Sequence, residues 1–264
     1  MSERDHGNEQ VPEAVLSTWR AHQAEVRSKV AHFPPATFCF PPKEGRTLIA
    51  GADVSFSKSN AEDAVVTITV YAYFSAALKL CYSHSRRVAV SVPYVPGYLA
   101  FREAPYIVEM IRAVPTSIAP DVVLIDGNGW LHERRAGCAC HVGVELDVPC
   151  VGVAKNFYRI DGINEEDIRK ELKRNDGRRY TVLSKEREPL CVALLAGNAL
   201  SNPIYVSVGN KMDLETATRI VQACCVFKVP EPIRTADNHS RQALRTGKLV
   251  TFCEIDKGGA TSFD

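Results

Sequence analysis

The chain has 264 residues, of which 45% are hydrophobic and 24% charged, a composition typical of one large α/β domain or two small ones. Its 32 lysines and arginines nearly balance its 31 aspartates and glutamates, so a nucleic-acid surface must be a local basic stripe. The polar start lacks an apolar signal segment, and no run reaches the roughly 18 apolar residues of a membrane span. We therefore expect a soluble intracellular protein, in cytoplasm or nucleus, without a membrane partner.

The nine cysteines are irregularly spaced, and without a secretory signal we expect reduced, buried thiols rather than a disulfide framework. Two clusters contain neighbouring thiols, Cys138 with Cys140 and His141, and Cys224 with Cys225. Neither cluster has the paired C-x-x-C spacing of structural zinc sites. The spacing therefore argues against zinc.

The N-terminal part predicts one helix followed by three strands. Apolar residues at helical spacing indicate an amphipathic helix over residues 12–31. Residues 48–56 form an apolar run that is typical of a strand and carries a single acid, Asp53. Two β-branched and aromatic runs follow over residues 64–73 and 77–90, separated by short turns. We expect these three strands to pair antiparallel.

A stiff aromatic turn precedes the next predicted helix. In the stretch PYVPGYLAFRE, Pro93 and Pro96 restrict the backbone on either side of Tyr94, and Gly97 allows a turn. On residue types alone, an ordinary loop with a core tyrosine remains an alternative. The helical periodicity of the following residues, 99–112, places Glu103 near a helix start.

Two buried strands with polar ends come next. Residues 122–125 are a continuous apolar run, typical of a parallel strand, and Asp126 stands at its carboxyl end. Open α/β sheets bind their ligands at such ends. After a predicted helix over residues 138–146, a strand over residues 150–154 ends at Lys155. This lysine fits either a functional cation or a side chain that extends to water.

The remaining elements are two strands and three helices. We predict helices over residues 164–174, 213–225 and 233–245, with Asp213 as a cap, and strands over residues 191–195 and 204–208. A basic cluster fits either a solvated face or a phosphate-binding stripe, and it comprises Lys170, Lys173, Arg174, Arg178 and Arg179. We expect one domain over residues 12–247, between a flexible polar tail, residues 1–11, and a loosely held tail, residues 248–264.

The element order matches a ribonuclease H-like α/β fold, with a central mixed sheet flanked by helices. In this fold three antiparallel strands continue into parallel strands, and acids come from the first strand, the first helix, the fourth strand and a late helix. The acids on the corresponding elements are Asp53, Glu103, Asp126 and Asp237. The match is an analogy of fold, and function must be argued from the site.

Five ordered motifs resemble those of endonuclease V, a nuclease that cuts nucleic acid beside deaminated adenine. They are IAGADVSF around Asp53, PYVPGYLAFRE, DGNGWLHERRAGCACHVGV from Asp126, VPCVGVAK ending at Lys155 and PEPIRTAD ending at Asp237. Together they span about four-fifths of the chain, and ordered motifs of this length are far more specific than one short pattern. The acid at position 237 resembles the animal forms, because the bacterial type has histidine there.

Phosphodiester hydrolysis by clustered acids requires a divalent metal, which activates water and neutralises the charge on phosphate and leaving oxygen. Mg²⁺, with Mn²⁺ as a substitute, suits carboxylate ligands, and we assign Asp53 and Asp126 as its direct ligands. Glu103 and Asp237 would orient water or hold a second ion. The resemblance favours a catalytic role for Lys155 as well.

The resemblance also implies how the substrate base is bound. Tyr94, with Pro93, Val95 and Pro96, would wedge into the duplex and fill the gap that the flipped nucleotide leaves. The pocket for hypoxanthine would be lined by Leu99, Gly127, Gly129, His132 and Gly137.

We therefore expect a monomer that hydrolyses the second phosphodiester bond 3′ to inosine or deoxyinosine, in RNA in preference to DNA, leaving 3′-hydroxyl and 5′-phosphate ends. One alternative is a structure-specific nuclease of the same fold, which would show no inosine preference. Another is a non-catalytic module that binds inosine. The four acids argue against the second alternative, because a protein that only binds phosphates gains nothing from clustered carboxylates.

Overall fold

The computed structural model describes residues 11–34, 37–160, 162–174, 178–197 and 202–254, which form a mixed sheet flanked by helices. The strands in these ranges are β1 (Thr47–Phe56), β2 (Asp63–Phe74), β3 (Ala77–Ala89), β4 (Val122–Asp126), β5 (Cys150–Ala154), β6 (Arg179–Leu183), β7 (Pro189–Leu194), β8 (Ile204–Asn210) and β9 (Thr251–Cys253). The helices are α1 (Glu13–Lys29), α2 (Leu99–Arg112), α3 (Cys138–Leu146), α4 (Glu165–Arg174), α5 (Leu214–Ala223) and α6 (Glu231–Thr246).

The sheet has the strand order β6-β7-β8-β5-β4-β1-β2-β3-β9. The first three strands pair antiparallel, and β1, β4 and β5 then run parallel to one another. On the far side, β8 pairs antiparallel with β5, and β7 and β6 continue in the same manner. The predicted mixed sheet, with antiparallel strands continuing into parallel ones, is confirmed.

Two short edge strands were absent from the prediction. β6 contains exposed and partly exposed residues, and β9 has only three residues, all exposed. β9 pairs with β3, so part of the tail expected to be loosely held is a strand of the sheet. Residues 1–10 of the expected N-terminal tail, and residues 255–264, lie outside the described ranges.

Each face of the sheet carries its own apolar core and its own pair of helices. On one face, Ala50 and Ala52 of β1 pack in a cluster with residues of α2 and α3. On the other face, Ile49 of β1 packs in a cluster with residues of α5 and α6. Because strand side chains alternate between faces, Asp53 follows Ile49 on the α5 and α6 face.

The same alternation governs the two neighbouring parallel strands. Leu124 of β4 and Val153 of β5 belong to the core beneath α5 and α6. Asp126 and Lys155 each follow two residues later, and therefore continue on that face. The sheet thus brings Asp53, Asp126 and Lys155 to one edge and one face. None of the helices in the described ranges has the length and apolar character needed to cross a membrane.

Candidate active site

The parallel pairing of β1 with β4 brings two acids side by side. Ala52 is the register partner of Ile125, so Asp53 and Asp126 follow directly at the carboxyl ends of adjacent strands. Asp53 is only 6% exposed, and its Oδ2 accepts hydrogen bonds from Ser240 Oγ at 2.5 Å and Ser55 Oγ at 3.0 Å. Ser240 lies one turn after Asp237 on α6, so this helix contributes both an acid and a hydrogen-bond donor to the site.

Burial and mutual repulsion make this cluster unfavourable as a set of free carboxylates. Burial is the largest cause that raises the pKa of Asp53, to about 6, and the charges of Asp126 and Asp237 raise it further against the two serine hydrogen bonds. Glu103 of α2 is 8% exposed. Its burial, together with the charges of Asp53 and Asp126, raises its pKa to about 8. Near neutral pH, the cluster therefore favours a bound cation or protons.

Two basic side chains pair with the remaining acids. Lys155 Nζ donates to Asp126 Oδ2 at 2.6 Å. Burial disfavours the charged form of Lys155, but Asp126 and the other nearby aspartates outweigh this effect and raise its pKa. Arg241 Nε lies 2.7 Å from Asp237 Oδ1, one turn along α6. Lys155 therefore neutralises part of the cluster in the protein alone.

The donor set fits a hard divalent cation in its chemistry, because it consists of carboxylate oxygens at one sheet edge. Across the described ranges, however, no group of three or more histidine, cysteine, aspartate or glutamate side chains is preformed for metal coordination. A site with two protein carboxylates suits Mg²⁺, which retains waters and uses substrate phosphate oxygens as further ligands. Asp53 and Asp126 are the two carboxylates best positioned for this role, since they end adjacent strands.

Hydrogen bonds to the backbone carbonyl of Gly97 hold the aromatic turn that precedes α2. Gly97 O accepts from Gln23 Nε2 of α1 at 2.9 Å and from Arg134 Nη2 at 2.8 Å. His132 Nε2 lies 3.1 Å from the same oxygen. Gly97 has φ +79°, and a Cβ there would lie 2.4 Å from a carboxylate oxygen of Glu133. Three polar groups at one carbonyl oxygen therefore hold the turn, and the positive φ of Gly97 favours glycine at its last position.

The turn presents Tyr94 to solvent. This side chain is 65% exposed, and the flanking Pro93 and Pro96 are also exposed, while Val95 is partly buried. An exposed aromatic ring on a rigid backbone is a contact surface for a partner molecule. The alternative of a core tyrosine is excluded for Tyr94, and it applies instead to Tyr98, which is buried.

A cavity of about 130 Å³ lies behind Tyr94, on the face of the sheet that α2 and α3 cover. Aromatic rings and the starts of these helices form much of its lining, which includes Tyr94, Leu99, Asn128, His132, Gly137 and Tyr158. The rings of His132 and Tyr158 stack with centroids 5.3 Å apart. The cavity thus offers flat apolar walls and backbone groups, which is the kind of site that a planar base fills.

His132 is neutral and has a defined tautomer. Its Nδ1 accepts from the backbone N–H of Arg134 at 3.2 Å, so the proton resides on Nε2, which donates to Gly97 O. Burial, followed by the charge of Arg134, lowers the pKa of His132 to about 4. This histidine therefore supports the turn and the cavity wall as an uncharged ring.

Of the three glycines predicted for the pocket, only Gly137 lines the cavity. Gly127 and Gly129 are not among the residues that line the cavity. Gly127 has φ +154°, a conformation that favours glycine, and its backbone follows directly after Asp126. At Gly129 a Cβ would lie 2.3 Å from the carbonyl oxygen of Val208, so close packing against β8 accounts for this glycine.

Three of the five members of the basic cluster around α4 are ion-paired. Lys170 pairs with Asp167 at 3.0 Å, and Arg174 pairs with Glu171 at 2.8 Å. Arg179, on edge strand β6, pairs with Glu215 of α5 at 2.9 Å. These pairs favour the solvated face over the phosphate-binding stripe. The nine cysteines are free thiols, six of them buried, as the composition predicted.

Sequence reasoning missed the residues that hold the site together. Ser55 and Ser240 donate to Asp53, and the spacing of Ser240 three residues after Asp237 is a signal that places both on one helix face. Gln23 and Tyr158 support the aromatic turn and His132, respectively, from segments distant in sequence. No local pattern identifies these two contacts, because they arise only in the folded chain.

Comparisons with known proteins show which family this chain is similar to. The family model described as Endonuclease V matches residues 39–238. Endonuclease V of Mus musculus is 38% identical over 244 residues, covering 90% of this chain and 72% of its own length. Endonuclease V of Homo sapiens is 38% identical over 241 residues, covering 89% of this chain and 85% of its own length.

A solved structure shows the same similarity. Ciona intestinalis endonuclease V, in complex with a 24mer DNA containing an inosine followed by a ribo-adenosine, superimposes with a TM-score of 0.82 at 34% identity. The alignment covers 89% of this chain and 100% of that chain. Such structures have a ribonuclease H-like fold, so the fold predicted from the sequence is confirmed.

Proposed function

The chain belongs to the endonuclease V family and is an endonuclease, and from this premise we propose that it hydrolyses the second phosphodiester bond 3′ to inosine in nucleic acid. The products would carry 3′-hydroxyl and 5′-phosphate ends. The proposal is carried by the adjacency of a cluster of four acids, two of them buried, and a small aromatic cavity behind an exposed tyrosine. The first suits phosphodiester chemistry and the second suits one flipped base.

The cavity and the turn would act together in base recognition. Tyr94 would stack in the gap left by the flipped nucleotide, because its ring is exposed and its backbone is held at Gly97. Pro93, Val95 and Pro96 would stiffen this wedge. Inosine pairs more weakly than a standard base, so its extrusion requires less unstacking and unpairing energy. Leu99, His132 and Gly137 would then contact the hypoxanthine ring.

Enzymes of this family are generally metal-dependent, and here Asp53 and Asp126 would hold the ion, with Mg²⁺ favoured and Mn²⁺ as a substitute. A divalent ion held by these two carboxylates would supply water activation at neutral pH and charge neutralisation at the phosphate and leaving oxygens. Ser240 and Ser55 orient the Asp53 carboxylate through their hydroxyl hydrogen bonds. Such bonds fix the direction of the carboxylate lone pairs.

The remaining charged residues have separate tasks in this proposal. Lys155 would exchange its contact with Asp126 for a phosphate oxygen, because an ammonium stabilises the negative charge that develops there. Glu103, which burial keeps protonated near neutral pH, is able to hold a proton beside the reacting phosphate until a cation binds. Asp237 would orient water from the α6 side of the cluster.

RNA is the substrate that we favour over DNA. The support is the acid at position 237, which resembles animal forms, and the Ciona protein, whose complex contains a ribo-adenosine directly after the inosine. A contact with the 2′-hydroxyl of that nucleotide would distinguish the two substrates. The protein would act as a monomer.

The proposal is tested by cleavage of matched oligonucleotides that contain inosine or adenosine, as single-stranded RNA and DNA, with Mg²⁺ or EDTA. We expect inosine-selective cutting only with Mg²⁺, with products that map to the second 3′ bond and RNA cut faster than DNA. Equal cutting of inosine and adenosine oligonucleotides would instead indicate a structure-specific nuclease. Inosine binding without cleavage under any metal would overturn the catalytic assignment.

A further inference from the structure

A second exposed apolar surface lies in the loop between α5 and α6. Val226 is 62% exposed and Phe227 is 48% exposed, and Lys228 follows them. We propose that residues 226–228, here called the 226–228 platform, bind a nucleotide on the 3′ side of the cut, with Phe227 stacking on its base and Lys228 contacting its phosphate. This inference rests on the proposed function, since it concerns the same nucleic-acid strand.

The platform lies at the end of the sheet where the acids lie, which is the end formed by the carboxyl ends of β4 and β5. Gly197, just after β7, packs so closely on the platform that an added Cβ would lie 2.4 Å from Phe227 O. The carboxyl end of β7 pairs with the start of β8 at Ile204. The next residue of β8, Tyr205, pairs with Ala154, which directly precedes Lys155. The platform and Lys155 are therefore at the same end of these strands.

The guanidinium of Arg234 packs against one face of the Phe227 ring. The Arg234 guanidinium carbon lies 5.0 Å from the centroid of the Phe227 ring. Glu231 holds this guanidinium through hydrogen bonds of 2.7 and 2.6 Å. One ring face is thus covered while about half of the residue remains exposed, so a base is able to stack on the open face. Stacking of this kind accepts any base, which suits a flanking position.

Lys228 provides a matching charge for phosphate. Its side chain is partly buried, and within the described ranges its ammonium group interacts with other charges only at longer range, without a hydrogen bond or ion pair. Burial, followed by the positive charges of Arg169 and Lys155, lowers the pKa of Lys228 against the opposing negative charge of Glu165, so these cations act on one another. A backbone phosphate beside Lys228 would reduce the repulsion among them.

The direction of the strand follows from the two faces of the sheet. The cavity lies on the α2 and α3 face, whereas Asp53, Asp126 and the platform lie on the face that α5 and α6 cover. A strand with its inosine in the cavity and its second 3′ bond at the acids must continue toward the platform. The 3′ flanking nucleotides therefore reach Phe227 and Lys228, whereas the 5′ nucleotides do not.

The test compares two inosine-containing RNAs, one ending one nucleotide after the cut and one extending about six nucleotides further, a length within the site sizes of single-strand-binding folds. Dissociation constants are measured by fluorescence anisotropy in EDTA, and single-turnover cleavage rates are measured with Mg²⁺. We expect Phe227→Ala to weaken binding of the long RNA at least about fivefold and to leave the short RNA unchanged. Phe227→Trp should bind the long RNA as tightly as the wild type does. In the wild type, abasic nucleotides 3′ of the cut should remove the higher affinity for the long RNA over the short one.

A matched control is Phe252→Ala, which removes an exposed ring from β9 at the far edge of the sheet and should change neither RNA. A plot of log affinity against log salt concentration has a negative slope. Lys228→Gln should make this slope less steep by about 0.7 for the long RNA only. If Phe227→Ala weakened binding of both RNAs equally, or of neither, the proposed role of the platform would be wrong. Inosine-selective cleavage by the wild type would still support the proposed function in that case. Failure of the wild type to bind or cut inosine RNA would instead remove the proposed function itself.

Discussion

The acid cluster and the aromatic cavity are neighbours, but their physical states differ. Burial, followed by repulsion from the neighbouring acids, raises the pKa values of Asp53 and Glu103. The cavity is built from neutral groups, and its turn is held by hydrogen bonds to the Gly97 carbonyl from Gln23 and Arg134. The comparison indicates that the cavity is complete in the protein alone, whereas the acids require a cation or protons. Metal removal should therefore affect one region and spare the other.

The largest expected effect concerns the pH dependence of stability in the absence of metal. The pKa of Glu103 is about 8 in the folded protein, above its ordinary value of 4.5. The unfolded chain loses this proton at lower pH than the folded protein, so stability falls as pH rises from about 4.5 through 8. Glu103→Gln removes this loss and should stabilise the protein above pH 8 by on the order of 5 kcal/mol.

Thermal unfolding in EDTA from pH 5 to 9 measures this effect, and the advantage of Glu103→Gln should shrink as pH falls. Glu109→Gln is the matched control on the same helix, because Arg86 lowers the pKa of Glu109 and its loss gives no gain at high pH. Mg²⁺ should stabilise the wild type most at high pH. A constant difference between Glu103→Gln and wild type at all pH values would contradict the account of a strained acid cluster.

A smaller effect is expected for the serine that orients Asp53. Ser240→Ala removes a 2.5 Å hydrogen bond to Asp53 Oδ2 and should lower Mg²⁺ affinity about 10- to 100-fold, the usual effect of losing a partner of a metal ligand. Isothermal titration with Mg²⁺ or Mn²⁺ measures it directly. Gln242→Ala, an exposed residue on the same helix, is the control. Unchanged metal affinity in Ser240→Ala would show that Ser240 does not contribute to metal binding.

The smallest effect is expected in the cavity region. Tyr94→Ala should reduce affinity for inosine-containing nucleic acid by roughly tenfold, consistent with loss of one aromatic stack, and should leave metal affinity unchanged. Tyr94→Phe retains the ring and should behave as wild type. A loss of metal affinity in Tyr94→Ala would show that the two regions are not independent. Anisotropy binding in EDTA, together with metal titration, distinguishes these outcomes.

The sequence predicts the elements that carry the site more fully than the contacts between them. Periodicity identifies α2 and α3, and apolar runs identify β4 and the strand that precedes Lys155, because the interiors of these strands are buried. It misses β6 and β9, whose exposed edge residues have no apolar alternation. Edge strands depend on pairing with a neighbour, which local residue patterns do not encode.

The same limit applies within the candidate site. Asp53 is conspicuous in the sequence because it interrupts an apolar strand, and an unpaired buried acid is unfavourable. Its partner Ser240 is 187 residues away along the chain and has no local signal beyond its place on the face of Asp237. Gly129 has the same residue type as a pocket glycine, yet it packs against Val208 of β8. Sequence patterns therefore indicate which residues matter, while tertiary packing determines what each one contacts.

The most direct test of the two-region account measures inosine selectivity without catalysis. Binding of matched inosine and adenosine RNAs is compared for the wild type and Asp53→Asn, in EDTA and in Mg²⁺, alongside cleavage. The account predicts that Asp53→Asn loses cleavage yet retains the wild-type preference for inosine, including in EDTA, because the cavity is complete without the acids. Loss of that preference in Asp53→Asn, or in the wild type when metal is removed, would contradict the account.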